Sequence, residues 1–294
     1  MSSIDYTAKN EKRRVAFVSV FAAVFLTAFK LIIGLITGSL GLLSEALHSG
    51  LDLVAATITY FAVRISDKPS DKEHHFGHGK IENLSALIET LLLLITCVWI
   101  IYEAVNRLVT GKVEIEVMIW SYIVVITSIV VDYSRSTALY KAAKKYNSQA
   151  LEADALHFST DIWSSLVVLF GLVGAQIGYH FADSIAALFV ALIVIYISYR
   201  LGKRSINVLL DRAPAKIPEQ VKSLLKDVSG VLGFHDLRVR EGGAQTFIEV
   251  NIHVDPQLTV DQAHRISHKV EEYISSNIKS CTVHVHQEPD TKDH

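Results

Sequence analysis

The chain has 294 residues, half of them hydrophobic and only 20% charged, with a formal net charge of −2 at neutral pH. A soluble domain of that length carries about a quarter charged residues and no long apolar runs, so membrane class comes first, and no global basic field calls for nucleic acid. The two cysteines, Cys97 and Cys281, lie far apart without CxxC or paired spacing, which argues against a disulfide framework.

From the N-terminus, Met1–Arg14 is polar and basic, and the apolar run after it is too long for a signal-peptide core, so it reads as a retained first membrane helix. Roughly 20 residues at about 1.5 Å each cover a bilayer core, and six such spans are expected, near Val15–Thr37, Gly41–Ile65, Asn83–Leu108, Val117–Tyr140, Ala150–Ile177 and Phe181–Ser205. All five prolines fall outside them. Lysine and arginine collect before the first span (Lys9, Lys12, Arg13, Arg14) and after the second, fourth and sixth, whereas the opposite side holds only Arg107 and Lys112. Cationic loops stay in the cytoplasm, so both termini are expected there. The division expected is a tail at 1–14, a six-helix transmembrane domain at 15–208 and a cytoplasmic domain at 209–290.

Beyond Asp211 the pattern changes to an amphipathic segment (Glu219–Asp227), two strands (Phe234–Arg240 and Thr246–Val254), a helix (Val260–Ser276) and a last strand (Cys281–Gln287). This predicts a small ferredoxin-like α+β domain in the order αββαβ. In the second strand Ile248, Val250, Ile252 and Val254 alternate with polar or aromatic residues, as in a sheet with one face covered by helices.

Inside the spans one string occurs twice: Ala46-Leu47-His48-Ser49-Gly50-Leu51-Asp52 in the second and Ala155-Leu156-His157-Phe158-Ser159-Thr160-Asp161 in the fifth. Spacing i to i+4 puts each His and Asp on one helical face. The two helices can then offer two imidazoles and two carboxylates to one centre, a tetrahedral set that suits Zn2+ and neutralises a dication. Four ionisable groups near mid-membrane are costly unless they serve a function. The spans run in opposite directions, as in halves related by an in-plane pseudo-two-fold. Glu45 and Asp154 stand three residues before the two histidines and are candidates for outer-shell hydrogen bonds or proton relay, with a plain salt-bridge role equally open. Lys30 in the first span is expected to pair with Glu45.

With these motifs in place, the sequence resembles the cation diffusion facilitator family of metal/proton antiporters over nearly its whole length. The resemblance implies that His48, Asp52, His157 and Asp161 form the transport site, and that two HxxxD strings favour Zn2+ over Mn2+. In the second cytoplasmic loop, Asp71, His74 and His78 match a family loop site. In the tail, His235, His264, His286 and Glu288 fall where the family places ligands of a cytoplasmic dimer-interface site. Asn251 occupies a position that is often His; His253 shares its strand face, and His284 shares a face with His286 and Glu288. Lys80 and Asp211 match a charge pair where membrane and soluble parts join.

The function so implied is export of a divalent transition metal, Zn2+ first, by alternating access in exchange for protons, with Zn2+ also bound as a regulator. Partners are the ions, membrane lipid and a second copy in a homodimer. The short loop around Lys141–Asn147, which has no histidine, favours a prokaryotic plasma membrane. The alternatives are a carrier of Fe2+, Co2+, Cd2+ or Mn2+ and a transport-inactive metal-sensing subunit. An intramembrane metalloenzyme needs a metal with an open position and a general base, and no HExxH occurs, so no enzyme is expected.

Overall fold

A computed structural model describes residues 3–110, 119–176 and 182–291. Six long helices come first, α1 (Ser3–Thr37), α2 (Leu40–Ser66), α3 (Lys80–Thr110), α4 (Ile119–Tyr146), α5 (Gln149–Gln176) and α6 (Ala182–Leu209). They stand where the six spans are expected, although α1 begins within the polar leader. Lys112, Val117, Ile177 and Phe181, which bound or flank three expected spans, lie outside the described residues. Among the described residues, three stretches are long and apolar enough to cross a membrane by length and composition: Lys9–Thr37, Glu45–Ser66 and Lys80–Thr110.

The chain separates into two compact units, Met1–Lys68 with Ile81–Ile206, and Pro69–Lys80 with Asn207–His294. The first unit is turned inside out relative to a soluble protein. Large apolar side chains such as Phe21, Ile36, Leu47, Trp99 and Phe189 point outward, while Glu89, Asp154, Thr59 and Asn83 are fully buried. Hydrocarbon outside and polar groups gathered inside explain that inversion.

Small residues set the packing. Ala16 and Ala23 of α1, Ala56 and Ala62 of α2, Ala142 and Ala143 of α4, and Ala150 and Ala155 of α5 share one core around Leu139, Leu151 and Phe158. Alanine lets helix backbones approach closely where lipid gives no hydrophobic drive for association. A smaller cluster of Leu93 and Cys97 with Val194 joins α3 to α6, and Gly202 of α6 fits against Thr90 of α3. Ser39 caps α2 by accepting the Leu42 N–H.

The second unit contains α7 (Ile217–Lys226), β1 (Gly233–Gly242), β2 (Gln245–Val254), α8 (Val260–Asn277) and β3 (Cys281–Pro289), the expected αββαβ order. The sheet runs β1-β2-β3, with β1 antiparallel and β3 parallel to β2. Ile248, Val250, Ile252 and Val254 are all buried, against Val221 and Leu225 of α7 and Val270 and Ile274 of α8. Each contributes about 1.5–3 kcal/mol by leaving water. Thr259 and Gln262 form a capping box that starts α8. The loop 69–80 follows α2 in the chain yet packs with this unit: Phe76 meets Phe247 edge-on, with ring centroids 5.3 Å apart, and Arg240 lies over Phe76.

Candidate metal centres

The i to i+4 spacing does locally what the sequence requires, and α2 packs beside α5 so that the two faces meet. His157 Nε2 lies 3.0 Å from Asp52 Oδ1 and 3.7 Å from Asp161 Oδ2; His48 Nε2 lies 3.8 Å from Asp161 Oδ1 and 4.0 Å from Asp52 Oδ1. Imidazole and carboxylate therefore alternate around a small ring. Ligand atoms of His48, Asp52 and Asp161 lie within 4.8 Å of one another, and His157 approaches both carboxylates from the buried side, whereas four ligands on a tetrahedron of metal–ligand length near 2.1 Å stand about 3.4 Å apart. The ring is also lopsided. The His48 side chain is 35% exposed and lines a cleft with Lys30, Glu45, Asp132, Asp52 and Asp161, whereas His157 is 5% exposed and sealed.

Around the ring, Lys30 Nζ lies 3.1 Å from Glu45 Oε2, the pairing expected from their depths. Asp154 accepts from Ser19 at 3.2 Å; Ser19 also accepts from Arg135, which binds Asp132 at 3.2 Å and stacks on Phe158. The Asp132–Arg135 pair was not anticipated. Its only signal in the sequence is an acid and a base three apart within an apolar helix. Glu89 was missed too, an acid of α3 with no charged residue within four positions on either side.

Among the described residues two further groups place ligand atoms within 4.8 Å of one another. In the loop, Asp71 faces His74 at 3.2 Å and His78 at 3.3 Å. The backbone N–H groups of His74 and Glu73 donate to Asp71 Oδ1 and hold its carboxyl below the usual carboxylate range. Gly77, at φ +77°, supplies the left-handed residue that lets the loop fold back. His75 turns away, onto the Lys72 carbonyl.

In the tail, His235, His253 and Glu288 converge. His253 Nε2 is 3.0 Å from His235 Nδ1, and His235 Nε2 is 3.6 Å from Glu288 Oε2. Asn251 hydrogen-bonds to His235 and Glu288, so it braces the position rather than leaving a gap. His286 stands 3.6 Å from Glu288 at the edge of the group. His264 is paired with His268 on α8, their ring centroids 4.6 Å apart, and His284 sits opposite Glu249 on the sheet; neither is brought to the trio within one chain. Lys80 Nζ meets Asp211 Oδ1 at 2.9 Å, and Arg240 approaches the same carboxylate at 3.6 Å.

Comparison with known proteins supplies the context for this geometry. Residues 16–210 match the family described as cation efflux transmembrane domain, and residues 213–290 match the one described as cation efflux protein, cytoplasmic domain. The chain is 30% identical over 280 residues to the cation-efflux pump FieF of Cronobacter sakazakii, covering 94% of this chain and 92% of the relative. It is 31% identical over 272 residues to FieF of Shewanella oneidensis, covering 92% of each. A solved MamM CTD in copper form is 30% identical, with 26% of this chain and 95% of that one covered and a TM-score of 0.25.

Proposed function

This chain belongs to the cation diffusion facilitator family, whose members move divalent metal cations out across a membrane, and from that premise we propose that its cargo is Zn2+ and its counter-ion the proton. The observation that carries the proposal is the alternating ring of His48, Asp52, His157 and Asp161. Two imidazoles and two carboxylates facing one centre suit an ion without geometric preference of its own, and their −2 charge offsets the cargo.

Imidazole must be neutral to bind metal, so protons from a more acidic outer face compete with the ion for the ring. In this reading the helices bearing the ring rock between two openings, and Zn2+ leaves as protons enter. Glu45 and Asp154 serve as outer support or relay, Asp71, His74 and His78 as a cytoplasmic loop site, and the His235, His253, His286 and Glu288 face as a regulatory zinc site that draws two copies into a homodimer. His264 and His284 would join that site from the second copy. Residues 15–208 carry transport and 209–290 sensing, in a prokaryotic inner membrane with both termini cytoplasmic.

The test is zinc flux in proteoliposomes holding His48→Ala or Asp161→Ala protein. Losing one of four ligands is expected to weaken zinc binding by more than about 100-fold, beyond what outer-shell changes cost. Flux at the unmodified rate in either variant would remove the assigned site. Cargo identity is read by repeating the flux with Fe2+, Co2+, Cd2+ and Mn2+, and a carrier that preferred one of these would displace zinc.

A further inference from the structure

Glu89 is a buried acid whose place neither the transport site nor the Lys12 cluster explains. It is fully buried in α3, and one of its oxygens, Oε1, accepts from Thr59 of α2 and from Ser85 at 3.1 Å. The other, Oε2, is buried without a hydrogen-bond partner. Among the described residues no lysine or arginine is paired with it. An ionised carboxylate in that setting is strongly disfavoured, while a protonated one is not.

Its neighbours share the deficit. Asp154, also fully buried, uses Oδ2 on Ser19 and leaves Oδ1 unpartnered, and the buried Nδ1 of His157 is unpartnered as well. The charged groups that act on Glu89 are Asp154 and then His157, both on α5; Arg135 of α4 acts on Asp154 in turn. Helix rise gives their levels. The Ser148 hydroxyl, at the start of α5, donates to Glu82 near the start of α3 and fixes a common origin. From it, Glu89 lies roughly 10 Å along its helix, Asp154 roughly 9 Å and His157 roughly 14 Å. Glu89 and Asp154 are level, one turn from the metal ring on its sealed side.

We propose that Glu89, backed by Asp154, is a proton-binding site of the transport cycle, holding a proton on Oε2 while the metal ring is empty. The inference rests on the antiport reading above. A dication arriving at His157 makes a proton one turn away unfavourable, so Glu89 Oε2–H gives its proton to the bathing solution and the carboxylate remains. When the metal leaves, the proton returns. Metal and proton then exclude each other across two separate sites, so the exchange does not depend on the ligating imidazoles alone.

Zinc and proton movements measured together in proteoliposomes of the full chain test this. Glu89→Gln is expected to move zinc more slowly with about one proton fewer per zinc, and with a flatter dependence on pH. Unmodified protein that moves protons, compared with a Glu89→Gln variant that moves the same number per zinc, overturns the inference and leaves antiport standing. Unmodified protein that moves no protons overturns both. Should Glu89→Gln fail to fold, infrared difference spectra of the unmodified protein decide. An un-ionised carboxyl band at neutral pH that zinc removes supports the site, and its absence rejects it.

Discussion

Asp71 accepts two backbone N–H groups and faces two imidazoles, so its charge is stabilised before any ion arrives. Because the folded carboxyl titrates below its unfolded value of about 3.9, its contribution to loop order is complete above that value and is lost as pH falls through the lower folded one. Hydrogen exchange at the His74 and Glu73 amides is expected to stay slow at pH 5 and to quicken only below about pH 3.9. Quickening already between pH 6 and 5 would show that the Asp71 carboxylate is not the group that orders the loop. The same preorganisation predicts that Asp71→Asn weakens metal uptake by the loop while the intramembrane ring still binds.

Helix ends carry a second kind of order. Lys12 of α1 reaches Asp67, just beyond α2, at 2.6 Å and Glu82 of α3 at 3.2 Å, and both acids are almost completely buried. Ser66 and Ser148 add their hydroxyls to Glu82, so one lysine and one glutamate tie α1, α2, α3 and the start of α5 together. Removing one partner from such a cluster leaves uncompensated buried charge, and Lys12→Ala is expected to destabilise the helical unit by about 3–5 kcal/mol. Thermal unfolding in detergent checks this, and an unchanged midpoint would reduce the cluster to decoration. In α8 the Thr259 cap is exposed and local, so Thr259→Ala should cost only about 1 kcal/mol, seen in denaturant unfolding of the full chain.

The loop 69–80 is covalently continuous with α2 and α3 but packs with the sheet of the tail, so under the proposed regulation it is the segment that would carry a signal between them. Two glycines make that packing possible. A Cβ on Gly79 would run into the Gly242 carbonyl, and Gly243, at φ +67°, lies against the Gly79 backbone. Gly79→Ala must therefore push the loop off the β1–β2 turn. Its expected effect is a transport rate lower by on the order of ten-fold, equivalent to about 1.4 kcal/mol, with zinc affinity of the membrane ring unchanged. Equal transport by Gly79→Ala and unmodified protein would show that the loop's docking has no part in the cycle.

Local pattern was enough for the elements and for the ring. Period-two alternation placed Ile248, Val250, Ile252 and Val254 on the covered face, and the repeated HxxxD placed the four proposed ligands on two helix faces, because both depend only on backbone geometry that the sequence carries within a few residues. Partners distant in the chain were legible where a charge had one matching depth, as with Lys30 and Glu45, or where the family resemblance supplied the pair, as with Lys80 and Asp211. Tertiary structure alone decided that His253 joins His235 and Glu288 while His264 turns to His268, that Lys12 gathers Asp67 and Glu82, and that Glu89 is sealed beside Asp154. Those outcomes depend on which helix or strand lies next to which, and a long-range contact leaves no trace in the spacing of the residues that make it.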